Sequence, residues 1–208
     1  MASGLSLPSA LLAVAPAAPV GVRELLLLVA VERAAELGLA RLSMGEVARR
    51  AGVSRQTLYR YFSSKQELLA AAVSVETELV LAASLEAARA ASTGHERLQA
   101  ALCHALKASR QHPLLQRLLH REPESLLPLL LTDGGPVMAR VRDTLEWLLG
   151  DLGVPVGRRS AVADLLACLV LSHAVQSDDR EDDHAALWTE LALSSAPTCR
   201  AAAYGVSL

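Results

Sequence analysis

Three serines constrain how this chain can fold. Ser43, Ser54 and Ser64 each stand directly ahead of a stretch with helical apolar spacing. A serine in that place accepts a backbone N–H at a helix start. Three such caps in about twenty residues demand three short helices in place of one long one. Glu46 follows Ser43 by three residues, and Glu67 follows Ser64 by three. That spacing predicts capping boxes, in which the carboxylate returns to the serine N–H. Gly52, between the first two of these helices, supplies the left-handed backbone of a tight turn.

The rest of the chain reads the same way. Ala and Leu dominate, aromatics are 3% of the residues, and the β-branched and aromatic runs of strands are nearly absent, so the fold class is all-α. Helices are predicted over about 20–37, stopped by Gly38, and over 43–51, 54–62 and 65–92, the last ended by Gly94. Others follow over 96–112, 137–151, 158–176 and 184–195, with one or two short helices in 114–132, about nine in total. The run Asp178–Asp183 reads as a solvated loop whose last acids suit a helix N-terminus. Residues 1–22 are apolar, but Pro8, Pro16 and Pro19 interrupt them and no basic residue precedes Arg23. This argues against a signal peptide and for a disordered extension over 1–19. No stretch has the unbroken apolar length expected of a membrane span, so no membrane partner is expected.

Charge is concentrated. Between residues 41 and 66 stand six basic residues and one acid, a net +5 in a chain whose formal total is −2. A basic segment on an acidic protein is the footprint of a phosphate-binding module. The segment from Ser43 to Phe62 has the pattern of a helix-turn-helix. Val47 and Ala48 face inward, and Val53 fills the junction. Leu58 and Phe62, four apart, anchor the last helix on one face. Arg55, Gln56, Thr57, Tyr59 and Arg60 project away from that face, where a recognition helix would read bases or hold phosphates. Tyr61 borders the core and serves either as core or as a phosphate contact. Arg49 and Arg50 suit a helix C-terminus as solvated cations.

This segment resembles the DNA-binding domain of the TetR family over about residues 21–72. The resemblance rests on the glycine turn, the run Thr57-Leu58-Tyr59-Arg60-Tyr61-Phe62, and the following Ser64-Lys65-Gln66-Glu67-Leu68-Leu69. It implies a helix-turn-helix DNA-binding domain over 20–66 and a ligand-binding and dimerisation domain over 67–208. It also implies a homodimer, usually a repressor, on a palindromic operator of double-stranded DNA, released by a small molecule. Arg55 and Gln56 match base-reading positions. Ser43, Thr57, Tyr59, Tyr61 and Lys65 match phosphate contacts, and Arg60 matches a position that contacts either. Position 45, a reading side chain in some relatives, is glycine here.

In the body, the helix at 137–151 carries the stripe Val137, Met138, Val141, Leu145, Leu148, Leu149 and Leu152. Such a stripe packs a core or lines a pocket. Together with the leucines of 114–131 it would form an apolar pocket and favour an apolar effector. The helix at 161–175 is apolar on nearly every side and must bury more than one face. Leu166 and Val170 on it, with Leu187, Trp188 and Leu191 on the last helix, are the expected dimer contacts.

No nucleophile–base pair, metal spacing or phosphate loop is legible, so neither an enzyme nor a cofactor or metal is expected. His104, His112 and His120 read as ordinary core or surface residues. Cys103, Cys168 and Cys199 form no pair and read as small buried apolar residues in a reducing cytoplasm.

Overall fold

The computed structural model describes residues 21–132, 135–175 and 181–194. The extension over 1–19, the start of the acidic run at 178–180 and Cys199 lie outside the described residues. Among the described residues ten helices follow one another: α1 (Val22–Leu37), α2 (Met44–Arg50), α3 (Arg55–Tyr61), α4 (Lys65–Arg89), α5 (Gly94–Gln111), α6 (Pro113–Arg121), α7 (Pro123–Leu131), α8 (Pro136–Asp151), α9 (Val156–Val175) and α10 (Glu181–Ser194). The segment 113–131 is two helices, each opened by a proline whose missing N–H costs nothing there.

The three serine caps form. Ser43 Oγ accepts from Glu46 N at 3.3 Å, Ser54 Oγ from Thr57 N at 3.0 Å and Ser64 Oγ from Glu67 N at 3.1 Å. The predicted returns of the carboxylates are redirected. Glu46 turns to Arg33 on α1, an ion pair that docks α2 on its neighbour. Glu67 accepts from Ser63 N at 2.7 Å and Ser63 Oγ at 2.6 Å, one residue short of the cap. These two bonds hold its carboxyl below the ordinary range, the side-chain bond first. A full capping box occurs where none was predicted, between Thr93 and Glu96. Gly94 therefore opens α5 and does not end α4, which stops at Arg89.

One continuous core joins all these parts. Leu26, Ala30 and Ala34 of α1 pack with Val47, Ala48, Leu58 and Phe62 of the helix-turn-helix, and the same cluster continues through Leu68, Leu102, Leu149 and Leu166. Helix α4 is the connecting rod, packed on α1, α5 and α8. By length and mean hydropathy it meets the requirement for a membrane span, which the sequence reading did not foresee. Its neighbours here are helices of the bundle. The acidic start of α10 is more than a solvated loop: buried Glu181 pairs with Arg110 of α5, and Asp182 pairs with Lys107 at 2.8 Å. Cys103 donates to Asp182 at 2.7 Å. Burial and this bond push its thiol pKa up, the opposite of a reactive cysteine. Cys168 is exposed, contrary to its reading as a buried residue.

Gly52 has φ +69°, and a Cβ built there would meet nothing within 4 Å. Gly52→Ala thus adds backbone strain alone, and should lower unfolding free energy by about 1–2 kcal/mol. Urea denaturation measures this; an unchanged midpoint would mean that the turn relaxes out of the left-handed region.

Candidate nucleic-acid interface and internal cavity

Leu58 is fully buried and Phe62 nearly so, which fixes the roll of α3 and leaves its other face outward. Arg55, Gln56, Tyr59 and Arg60 are exposed on it. Arg60 lies over the Tyr61 ring at 5.4 Å. Tyr61 is 36% exposed, so it is not a core residue alone. Thr57 is half-buried and its hydroxyl is shared with Ser54 Oγ at 2.9 Å. Ser43 is exposed at the start of α2. Its oxygen takes the cap while its O–H remains a donor.

Gly45 acquires a role. A Cβ at this position would come within 2.4–2.8 Å of the Arg55 guanidinium. The absent side chain is what lets Arg55 fold against the first turn of α2. Lys65 is placed differently from a simple surface cation: its Nζ donates to the carbonyl of Ala40 at 2.9 Å. An ammonium has three donors, so this bond is compatible with a phosphate contact as well. The N–H of the same residue, Ala40, donates to Glu122 Oε2 at 2.8 Å. The α1–α2 corner is thus held from the α4 start on one side and from the α6–α7 junction on the other. Arg117 of α6 adds a bond to the carbonyl of Glu36.

The predicted dimer contacts separate into two groups. Leu166, Val170 and Trp188 are 1%, 5% and 7% exposed and pack in the chain's own core, so they are corrected as surface contacts. Helix α9 is apolar on most of its circumference, and Leu166 and Val170 belong to its inward stripe. Leu187 and Leu191 stay outside at 52% and 54%, and Leu165, not foreseen, joins them at 56%.

Between the helices lies a cavity of about 120 Å³, walled by α1, α4, α5, α6, α7, α8 and α9. Of the α8 stripe, Val137 and Val141 line it, whereas Leu145, Leu148 and Leu149 pack as core. From the leucine-rich segment, Leu114, Leu115, Leu118, Leu126 and Leu130 line it. Ala30, Val31 and Ala34 bring α1 into the wall, so the cavity touches the DNA-reading unit directly. Sequence reasoning missed its polar corner, where Glu76 of α4 meets His112 at 3.0 Å. His112 had a local signal: it precedes Pro113 and caps α6. Glu76 had only its position as an acid after the apolar run Leu68–Val75 of the rod.

Two sequence profiles match the chain. "Bacterial regulatory proteins, tetR family" covers residues 26–72, and "Bacterial Tetracyclin repressor, C-terminal domain" covers 94–193. The chain belongs to the TetR family. It accordingly has an N-terminal helix-turn-helix domain and a helical C-terminal domain. A curated relative, the HTH-type transcriptional repressor KstR of Mycolicibacterium smegmatis, is 38% identical over 84 residues. That stretch is 40% of this chain and 41% of the relative, so this chain spans about two fifths of the length of the curated relative it matches. Among solved structures, the TetR family repressor AlkX from a Dietzia strain, implicated in biodegradation of n-alkanes, aligns with a TM-score of 0.67. The identity is 22%, over 85% of this chain and 94% of that one. RolR in complex with resorcinol aligns with a TM-score of 0.58 at 19% identity, over 82% of this chain and 86% of that one. These structural likenesses show the TetR fold.

Proposed function

We propose that this chain is a homodimeric repressor that binds a palindromic operator and releases it when a small apolar molecule enters the internal cavity. One observation carries the reading: the cavity wall includes α1, the helix on which the recognition unit is built. Residues 20–66 act as the reading unit, with Arg55 and Gln56 on base edges. Ser43, Thr57, Tyr59, Tyr61 and Lys65 contact phosphates, and Arg60 contacts either. Residues 67–208 act as sensor and dimer body. The two subunits pair through α9 and α10, which carry the exposed leucines Leu165, Leu187 and Leu191. Pairing sets the recognition helices one helical turn of DNA apart, about 34–36 Å. A ligand pressing on α1, α4 and α6 spoils that spacing. The named relatives point the same way: one is a repressor and another holds resorcinol.

Genome-wide footprinting with the purified protein, followed by salt-titrated gel shifts on the footprint, tests the core of this. A symmetric footprint and affinity that falls steeply with salt are expected. Binding to no site above random DNA sinks the reading. The dimer is tested by the double substitution Leu187→Asp and Leu191→Asp. It should sediment as a monomer with unchanged helicity and lose operator affinity by at least about a hundredfold, since one half-site forfeits the other's contacts. A persisting dimer would place the interface elsewhere.

A further inference from the structure

A second chamber shares Ala34 and Leu118 with the apolar cavity and is its chemical opposite. It is a polar cleft of about 220 Å³ between the α1–α2 corner and the end of α6, and its charged groups are Arg41, Arg117, Arg121 and Glu122. Arg117 and Arg121 are four apart on α6, so they share one face. Arg41 comes from the loop between α1 and α2. Three guanidinium groups and one carboxylate give the wall a net +2. The fold does not consume these charges. Arg41 and Arg121 are exposed, and neither enters an ion pair or a side-chain hydrogen bond among the described residues. Arg117 is half-buried and uses one of its N–H groups on the Glu36 carbonyl. The Glu36 carboxylate is engaged elsewhere, with Arg33 and Arg50. Glu122 accepts from the Ala40 N–H at 2.8 Å. A cation in the last turn of α6 suits the helix dipole, which accounts for Arg121 alone. Arg41 belongs to the basic run that begins at residue 41, yet it holds none of the positions matched to base or phosphate contacts. Like charges four apart oppose a helix, and here a third stands across the gap from them. An anion between them removes that repulsion, and guanidinium forks match the oxygens of a phosphate.

We infer that this cleft binds a small dianion of the phosphate class, held by Arg41 from the reading unit and by Arg117 and Arg121 from the body. Two negative charges balance the net +2 of the wall. The cleft exceeds a bare phosphate in size, since one water occupies about 30 Å³ of liquid, so a small phosphate ester also fits. The bound anion ties the α1–α2 corner to α6 and adds to the two bonds already there, Ala40 to Glu122 and Arg117 to Glu36. Because Ala34 and Leu118 wall both chambers, this tie bears on the same helices that an apolar effector would press. The chain thus has a second ligand input, of opposite chemistry, at the joint between its two parts. The site stands whether or not the apolar cavity holds the effector.

Calorimetry of the full chain with inorganic phosphate tests this, at about pH 8, where phosphate is mainly a dianion, and at an ionic strength held constant with chloride. Saturable binding of one phosphate per chain is expected, together with a raised thermal midpoint. Arg41→Gln and Arg121→Gln should each weaken phosphate about tenfold to a hundredfold, the value of a hydrogen bond between charged groups. Both side chains are exposed, so the variants should keep their helicity, which circular dichroism checks. Glu122→Gln keeps a carbonyl for the Ala40 N–H and removes the negative charge from the cleft, so it should tighten phosphate severalfold. Arg89→Gln, at an exposed arginine outside the cleft, should change nothing. The absence of saturable binding overturns the inference. Binding that survives both cleft arginine substitutions, or that falls equally with Arg89→Gln, reports an adventitious ion only and overturns it too. Unchanged affinity in Glu122→Gln would put the anion outside the cleft. If phosphate does not bind and the two arginine substitutions instead flatten the salt dependence of DNA binding, these arginines hold operator phosphates and the cleft has no ligand of its own.

Discussion

Arg55→Ala loses the operator while keeping most of its hold on random DNA. A bidentate arginine–guanine pair discriminates by about 1–3 kcal/mol, and a symmetric dimer makes it twice. The expected loss is about 2–6 kcal/mol, or roughly 30-fold to 10⁴-fold in specific affinity. Random DNA, held through phosphates, should weaken by far less. A fall of equal size on both sequences would show that Arg55 holds phosphate and reads nothing. The structure supplies a finer version. The guanidinium lies where a Cβ on residue 45 would be, so Gly45→Ala leaves the arginine intact and displaces it outward. Since a flexible side-chain end gives way cheaply, the protein should fold normally and show a smaller loss of discrimination than Arg55→Ala.

Gly38→Ala is the second large effect, and a stability effect. Gly38 has φ 90° and ψ 165°, a region that is essentially glycine's own and costs other residues about 1–3 kcal/mol. Unlike Gly52, it has no room. Its Cβ would fall 1.7 Å from Glu122 Oε1, displacing the carboxylate that accepts from Ala40. With that bond lost, the total is about 2–4 kcal/mol. Urea denaturation of Gly38→Ala, set beside Gly52→Ala, separates strain from collision. Adding Glu122→Ala to Gly38→Ala should recover at most a small part of the loss, because the collision is gone while the backbone penalty and the lost Ala40 bond remain. A double variant no more stable than Gly38→Ala would mean that the collision carries no weight.

The parts of this molecule that could be read from the sequence are those whose cause is local. Ser43, Ser54 and Ser64 act on backbone within three residues, and Gly52 acts on its own φ, so the reading unit and its exposed face followed directly. The parts that escaped depend on partners far along the chain. Glu46 was assigned to its own cap because the competing Arg33 belongs to another helix. Glu76 and His112, 36 residues apart, meet only once α4 and α5 pack, and Glu122 reaches Ala40 across 82 residues. Helix α9 shows a further limit. Periodicity identifies an apolar stripe when the other side is polar, but α9 has apolar residues on most of its circumference, interrupted by few polar ones such as Asp164. Nothing local distinguishes Leu166, facing inward, from Leu165, facing out.

The continuous core has a consequence for how the protein melts. Leu26, Ala30 and Ala34 of α1 belong to the same single cluster as Leu58 and Leu149, so the hydrophobic centre of the reading unit is continuous with that of the body. Heating should therefore take both ends through one cooperative transition, and a fragment of residues 21–66 should stay largely uncoiled, its inner α1 face left wet. Occupancy of the cavity would then raise the midpoint of the recognition helix by mass action, although no ligand atom comes near it. An effector that removes the protein from DNA would at the same time make its DNA-reading helix harder to unfold.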